Sequence, residues 1–232
     1  MKKNLCAVLI LVLASAWCFG QDSFTRGENL FMQNKPQEAV IYLENSITED
    51  PAHVQAFLYL GIAYEQIGRT DEAIAVYRQV LGRAGDLTAN IANNLGNAYF
   101  KKGSITEAET MYTQALEADR VYAAAWLGRA NTRIQKGSLR DAISDYEQYL
   151  RLEPRSSQGP SIERLVAYIK AEFAEAERQR LVAEEIARAE AERRQRLLDE
   201  VSASLQGAAG ASQGLSAGAE DVEEYEGEFE LE

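Results

Sequence analysis

An alanine preceded by an acidic residue returns at a near-constant interval along this chain of 232 residues: Glu38-Ala39, Glu72-Ala73, Glu107-Ala108 and Asp141-Ala142, in steps of 34, 35 and 34. A period of that length marks a repeat architecture, in which each unit buries its apolar face only by stacking on its neighbours. Twelve positions before each alanine stands another small residue, in order Gly27, Gly61, Gly96 and Ala130; four positions after it stands a large one, Leu43, Tyr77, Tyr112 or Tyr146. Between the two small positions lies Asn34, Gly68, Gly103 or Gly137, residues able to take the positive φ that the end of a helix often requires. The pattern predicts one helix hairpin per repeat. Small residues let its two helices approach closely, and the bulky residue one turn further on fills the space between hairpins. Pro36, Pro51 and Pro154 fall at expected helix starts or in linkers, so none interrupts a helix interior.

These residues resemble the tetratricopeptide repeat family. The resemblance is carried by Phe57, Leu60, Gly61, Tyr64, Ala73 and Tyr77 in the second repeat, and by Leu95, Gly96, Tyr99, Ala108 and Tyr112 in the third. The fourth keeps Trp126, Ala142, Tyr146 and Pro154 but has Arg129 and Arg133 where the family usually has a leucine and an aromatic. The first has Ser23 and Arg26 at apolar positions and reads as an N-terminal cap. The resemblance implies an all-α fold, a right-handed solenoid of helix hairpins over residues 21–154, with repeats near 21–53, 54–87, 88–122 and 123–154.

It also implies a use. In the family the first helix of each hairpin lines a concave groove with the face opposite its packing residues. That face would hold Phe24, Glu28, Phe31 and Met32 in the first repeat and Leu58, Ile62, Glu65 and Gln66 in the second. Asn93, Asn97, Phe100 and Lys101 follow in the third, and Leu127, Asn131, Ile134 and Gln135 in the fourth, spaced to project together on a 3.6-residue helix. From this face Leu58, Ile62, Gln66, Asn93, Asn97, Phe100, Lys101, Leu127, Asn131 and Ile134 are the residues expected to meet a partner. Apolar side chains mixed with amides suit an extended segment or an amphipathic helix of another protein, and Asn93, Asn97 and Asn131 offer its backbone both donors and an acceptor. Some family members clamp a terminal carboxylate with asparagines and several cations; here Lys101 is the lone cation on the face, so that activity is not carried over. The alternative is that the asparagines are solvated and the apolar residues are covered by the chain's own helices.

The chain opens Met1-Lys2-Lys3, runs through apolar residues from Leu5 to Leu13, and reaches small residues at Ala14, Ala16 and Gly20. That is the pattern of a secretion signal over residues 1–20, which places the protein in the periplasm or cell envelope. Acylation at Cys18, with the bulky Trp17 before it arguing against, and an uncleaved anchor are the alternatives. Both cysteines, Cys6 and Cys18, lie in this segment, and His53 is the lone histidine. A chain starting at Gln21 therefore has no thiol and no second imidazole for a metal site or a Ser/His arrangement, and neither catalysis, a cofactor nor a small-molecule substrate is expected. A net charge of -12 argues against nucleic acid and anionic membrane surfaces as partners.

Residues 155–205 read as a capping helix that continues as a long charged one. Ser161 is a plausible cap, and Ile162, Leu165, Val166, Ile169 and Phe173 form an amphipathic stretch suited to closing the last repeat. Beyond it, Glu184/Arg188, Glu190/Arg194 and Glu192/Arg196 are spaced to support a helix that has no core. Leu181, Ile186, Leu197, Leu198, Val201 and Leu205 recur too irregularly for a heptad seam, leaving either a solvated spacer or homo-oligomerisation through residues 161–205. Residues 206–219 read as a flexible linker by their glycine, alanine and serine, and residues 220–232, with eight acids and no base, as an acidic tail. The function expected is a non-catalytic interaction scaffold; the alternative is a structural protein assembling through its C-terminal helix as a coiled coil.

Overall fold

The computed structural model describes residues 22–217, so the expected signal at 1–20 and the acidic tail at 220–232 lie outside the described residues. These form nine α-helices in chain order. They are α1 (Ser23–Met32), α2 (Pro36–Glu49), α3 (Val54–Gln66), α4 (Thr70–Leu81), α5 (Thr88–Lys102), α6 (Ile105–Ala118), α7 (Ala123–Lys136), α8 (Leu139–Leu152) and α9 (Gly159–Ala217). The pairs α1–α2, α3–α4, α5–α6 and α7–α8 are the four hairpins the repeat period predicts, and each hairpin packs on the next. The first helices α1, α3, α5 and α7 also adjoin one another in series, which lays their free sides along one face. This is an α-solenoid, with no strand among the described residues.

Each hairpin turns at the residue its position implied. Asn34, Gly68, Gly103 and Gly137 all have positive φ, between 58° and 82°. The amide after each then reaches back to a carbonyl in the last turn of the first helix, as in Arg69 N to Tyr64 O at 2.8 Å and Ser138 N to Arg133 O at 2.9 Å. These bonds satisfy carbonyls that the helix end leaves unpaired. The step of 35 residues between the second and third repeats is absorbed by a short 3-10 turn, Gly85–Leu87, ahead of α5. In the first repeat, the polar residues at apolar positions find partners. Arg26 lies over the Tyr42 ring at 4.5 Å, Ser23 donates to Glu49 at 2.7 Å, and Asp22 caps α1 by accepting from the Thr25 amide.

The small residues sit against the large ones as the pattern requires. A Cβ built on Gly61 would fall 2.2 Å from Tyr77 Cε1, one on Gly96 would fall 2.8 Å from Tyr112 Cε1, and one on Gly27 would meet Leu43 at 2.8 Å. Gly128 repeats the device between hairpins, since its Cβ would meet the same Tyr112 ring at 2.3 Å. Ala39, Ala73, Ala108 and Ala142 are wholly buried, so the alanine spine is the floor of this packing.

The described residues divide into two compact units, one ending at Ala167 and one beginning at Tyr168. In the first, α9 starts by burying Ile162 and Val166, while Leu165 is exposed. In the second, the helix lives on charge: Arg180 bonds Glu177 and Glu184 at 2.6 and 2.9 Å, and Arg188 bonds Glu192 at 3.2 Å. Of the three pairs read from spacing, Glu192/Arg196 meets at 4.0 Å. Glu184 instead serves Arg180, and Arg188 serves Glu192. Residues 206–217, assigned by composition to a linker, are helical. Alanine is the strongest helix former, and adding residues to an existing helix avoids the cost of nucleation, so the glycines there do not stop it.

Tyr77 is fully buried and has nowhere to go, so Gly61→Ala is expected to cost about 1–3 kcal/mol in equilibrium urea unfolding. Gly82→Ala, with nothing within 4 Å of its added methyl and helical backbone, should stay within about 0.5 kcal/mol of the parent.

Candidate partner-binding groove

The side chains that the repeat register assigned to one face of α1, α3, α5 and α7 occur in three physical states. Leu58, Ile62, Phe100, Leu127 and Ile134 are partly buried, with some apolar surface left open. Gln66, Asn97, Lys101 and Asn131 are exposed. Asn93 differs from its neighbours: it is 4 % exposed, its amide nitrogen lies 3.4 Å from Asn94 Oδ1, and its own Oδ1 has no partner. Of the three asparagines expected to face a peptide backbone, then, Asn97 and Asn131 are open to solvent and Asn93 is not.

The tyrosines that space the hairpins also orient this face. Tyr112 donates its hydroxyl to Asn97 Oδ1 at 2.7 Å, and Tyr146 donates to Asn131 Oδ1 at 2.6 Å. In the second repeat Tyr77 donates to Glu65 Oε1 at 2.8 Å. A ring buried for packing thus reaches between the helices and fixes the polar group on the far side. Because each Oδ1 is occupied, Asn97 and Asn131 turn their NH₂ groups, two donors apiece, outward. Burial raises the titration range of both Tyr77 and Tyr112, and the charge of Glu65 adds to it in each case. The Glu65 charge thus acts on both hydroxyls while its hydrogen bond goes to Tyr77. Its own pKa is raised by burial, against the Tyr77 hydrogen bond and the charge of Lys101.

The N-terminal end of the face is aromatic. Phe24 and Phe31 approach Tyr59 of α3 with ring centroids 6.0 and 5.2 Å away, and Phe24 meets His53 at 4.1 Å. At the other end, α7 is fixed by charge rather than by the apolar residues common at its positions. Arg129 binds Asp145 through two bonds of 2.9 and 2.8 Å and reaches Thr113 at 3.2 Å. Arg133 bridges the same Asp145 and Glu109 at 2.7 and 2.9 Å, and Lys136 joins Glu109 at 2.7 Å. Lys136 first, and Arg133 with it, hold the Glu109 carboxyl below the usual carboxylate range. Beside this network a depression of about 390 Å³ is lined by Thr113, Trp126, Arg129 and Gln148 among others.

Sequence reasoning placed Glu65 and the aromatics of α1 on this face, but it missed the tyrosine-to-amide bonds. The signal was present as a constant separation of 15 between Asn97 and Tyr112 and between Asn131 and Tyr146. It also left the partners of Arg129 and Arg133 unassigned. Among the described residues, no group of three or more His, Cys, Asp or Glu is placed to hold a metal, and no helix is long and apolar enough to cross a membrane.

The profile of the tetratricopeptide repeat family matches residues 24–87 and 93–160. Among curated proteins, the chain is 31 % identical over 111 residues to RNA polymerase II-associated protein 3 of Mus musculus, a match covering 48 % of this chain and 17 % of that protein. It is 24 % identical over 150 residues to the DnaJ homolog subfamily C member 7 homolog of Dictyostelium discoideum, covering 58 % and 28 %. The chain thus spans under a third of the length of these relatives. Among solved structures, a crystal structure of MamA superposes with a TM-score of 0.57 at 22 % identity, over 62 % of this chain and 84 % of that one. PilF of Pseudomonas aeruginosa superposes with a TM-score of 0.58 at 18 % identity, over 67 % and 71 %. At these identities the likeness is one of fold.

Asp145 is 1 % exposed and answers two partly buried arginines, so Asp145→Ala leaves Arg129 without a carboxylate and Arg133 with Glu109 alone, and should cost about 3 kcal/mol in urea unfolding. Replacing all three charges with apolar residues of similar size, in Arg129→Leu, Arg133→Tyr and Asp145→Leu together, should recover most of that loss.

Proposed function

Because the chain belongs to the tetratricopeptide repeat family, we propose that it is a non-catalytic scaffold of the cell envelope that holds a segment of another protein along its first helices. Repeats of this family are generally interaction modules rather than catalysts. The observation that carries the reading here is the state of the groove. Asn97 and Asn131 are exposed, locked through Oδ1 by Tyr112 and Tyr146, and so present pre-oriented donors beside partly open Leu58, Ile62, Phe100, Leu127 and Ile134. Fixed donors bind a backbone carbonyl without first losing side-chain freedom, and the apolar residues supply the burial that affinity needs. Export rests on the sequence: Lys2-Lys3, the apolar run to Leu13 and the small residues up to Gly20.

A second reading has its own support. In the unit beginning at Tyr168, Leu181, Val182, Ile186, Leu197, Leu198, Val201 and Leu205 are all exposed. A lone helix gains nothing by showing so many, and burying them between copies would make the protein a self-assembling structural element.

The groove reading is tested by cross-linked capture from the envelope fraction, comparing the parent with Asn97→Ala/Asn131→Ala. A partner recovered by the parent and lost by the variant supports it; equal recovery of every partner removes it. Light scattering on the whole chain and on a chain ending at Glu153 separates the second reading. A monomeric mass for both is expected for a scaffold, whereas an oligomer that disappears on truncation would establish assembly through the helix.

A further inference from the structure

The charges on the groove face are Glu28, Glu65 and Lys101, and the two acids share a condition. Both are partly buried, and neither has a cation as hydrogen-bond partner among the described residues. Glu65 accepts only from the Tyr77 hydroxyl, at 2.8 Å, while the Glu28 side chain makes no hydrogen bond or ion pair there. Glu28 stands on the same side of α1 as Phe24 and Phe31, four residues after one and three before the other. Those rings gather on Tyr59, and ring faces attract a cation. The next first helix repeats the shortage of donors: Asn93, nine-tenths buried, has an Oδ1 that nothing answers. An unpaired carboxylate at Glu28, a partly buried one at Glu65 and an aromatic wall leave the half of the groove formed by the first two repeats short of positive charge, with Lys101 of α5 as the cation acting on Glu65.

We infer that the segment held in this groove is basic and apolar, with lysine or arginine alternating with apolar residues, its cations set against Glu28 and Glu65 and its backbone carbonyls on Asn97 and Asn131. The inference rests on the groove reading above and adds the chemistry of the partner. It disfavours the one other occupant argued from this sequence, the acidic residues 220–232. Those carry eight acids and would bring like charges to Glu28 and Glu65.

The test uses the whole purified chain and two fluorescent peptides matched in apolar pattern: the segment 220–232 as it stands, and the same segment with every acid replaced by lysine. Anisotropy titrations at physiological salt are run on the parent, on Glu28→Gln/Glu65→Gln, on Leu58→Ala/Ile62→Ala, and on Glu117→Gln/Glu153→Gln, which removes one exposed acid on α6 and one just after α8. The lysine peptide is expected to bind the parent, to weaken by about tenfold or more in the first two variants, and to be unchanged by the third, while the acidic peptide binds far more weakly. If the third variant weakens binding as much as the first, the attraction is to overall charge and the proposal falls. If the acidic peptide binds as tightly and is lost in Leu58→Ala/Ile62→Ala, the basic partner is wrong and the groove stands. If neither peptide responds to either groove variant, both fail together.

Discussion

The first three hairpins, and the step from the third to the fourth, depend on two helices approaching until a side chain of one occupies the space where a Cβ of the other would be. Tyr77 lies where a methyl on Gly61 would fall, and Tyr112 is pinched by Gly96 within its own repeat and by Gly128 of the next. Contacts this close have no slack, because protein interiors are packed as densely as organic crystals. They set the spacing within a hairpin and the step between hairpins, and the step places α1, α3, α5 and α7 side by side. The groove is a consequence of that spacing rather than a separate construction.

The same tyrosines connect packing to the proposed groove. Their rings belong to the core and their hydroxyls end at Glu65, Asn97 and Asn131 on the groove side. A phenol is suited to both tasks, having an apolar body and one strong donor at its tip. A shift in the core would therefore appear as a shift of the groove's polar groups. The ion network of Arg129, Arg133, Asp145, Glu109 and Lys136 does for α7 what apolar packing does for α3 and α5, by fixing it between α6 and α8. Exchanging apolar packing for buried charge gives directionality, since an arginine fork accepts one arrangement of carboxylates and few others.

Much of the solenoid could be read from residues alone because its devices are local and periodic. Positive φ at Asn34, Gly68, Gly103 and Gly137, the alanine spine, and the pairing of Gly27, Gly61 and Gly96 with Leu43, Tyr77 and Tyr112 all follow from spacing and side-chain size. Less legible was anything set by which neighbour a polar group finds. Asn93, Asn97 and Asn131 look equivalent in sequence, yet one is buried with an unanswered oxygen and two are exposed and held. The ion pairs of α9 differ from those read by spacing because Glu184 and Glu192 each have arginines four residues away in both directions, and Glu184 takes Arg180 over Arg188. Composition also misled at residues 206–217, where alanine in an existing helix outweighs the glycines beside it.

The central claim is that a partner lies on the first helices and on no other surface. It is tested most directly by placing a photo-activated cross-linking residue at one position at a time in the full chain, in its native cell. Gln66, Asn97 and Asn131 sample the groove, Thr110 and Ser144 the exposed sides of second helices, and Leu197 the long helix; all six are exposed. The account predicts the same adduct from Gln66, Asn97 and Asn131 and none from the other three. Adducts from Thr110, Ser144 or Leu197 with none from the groove would contradict it.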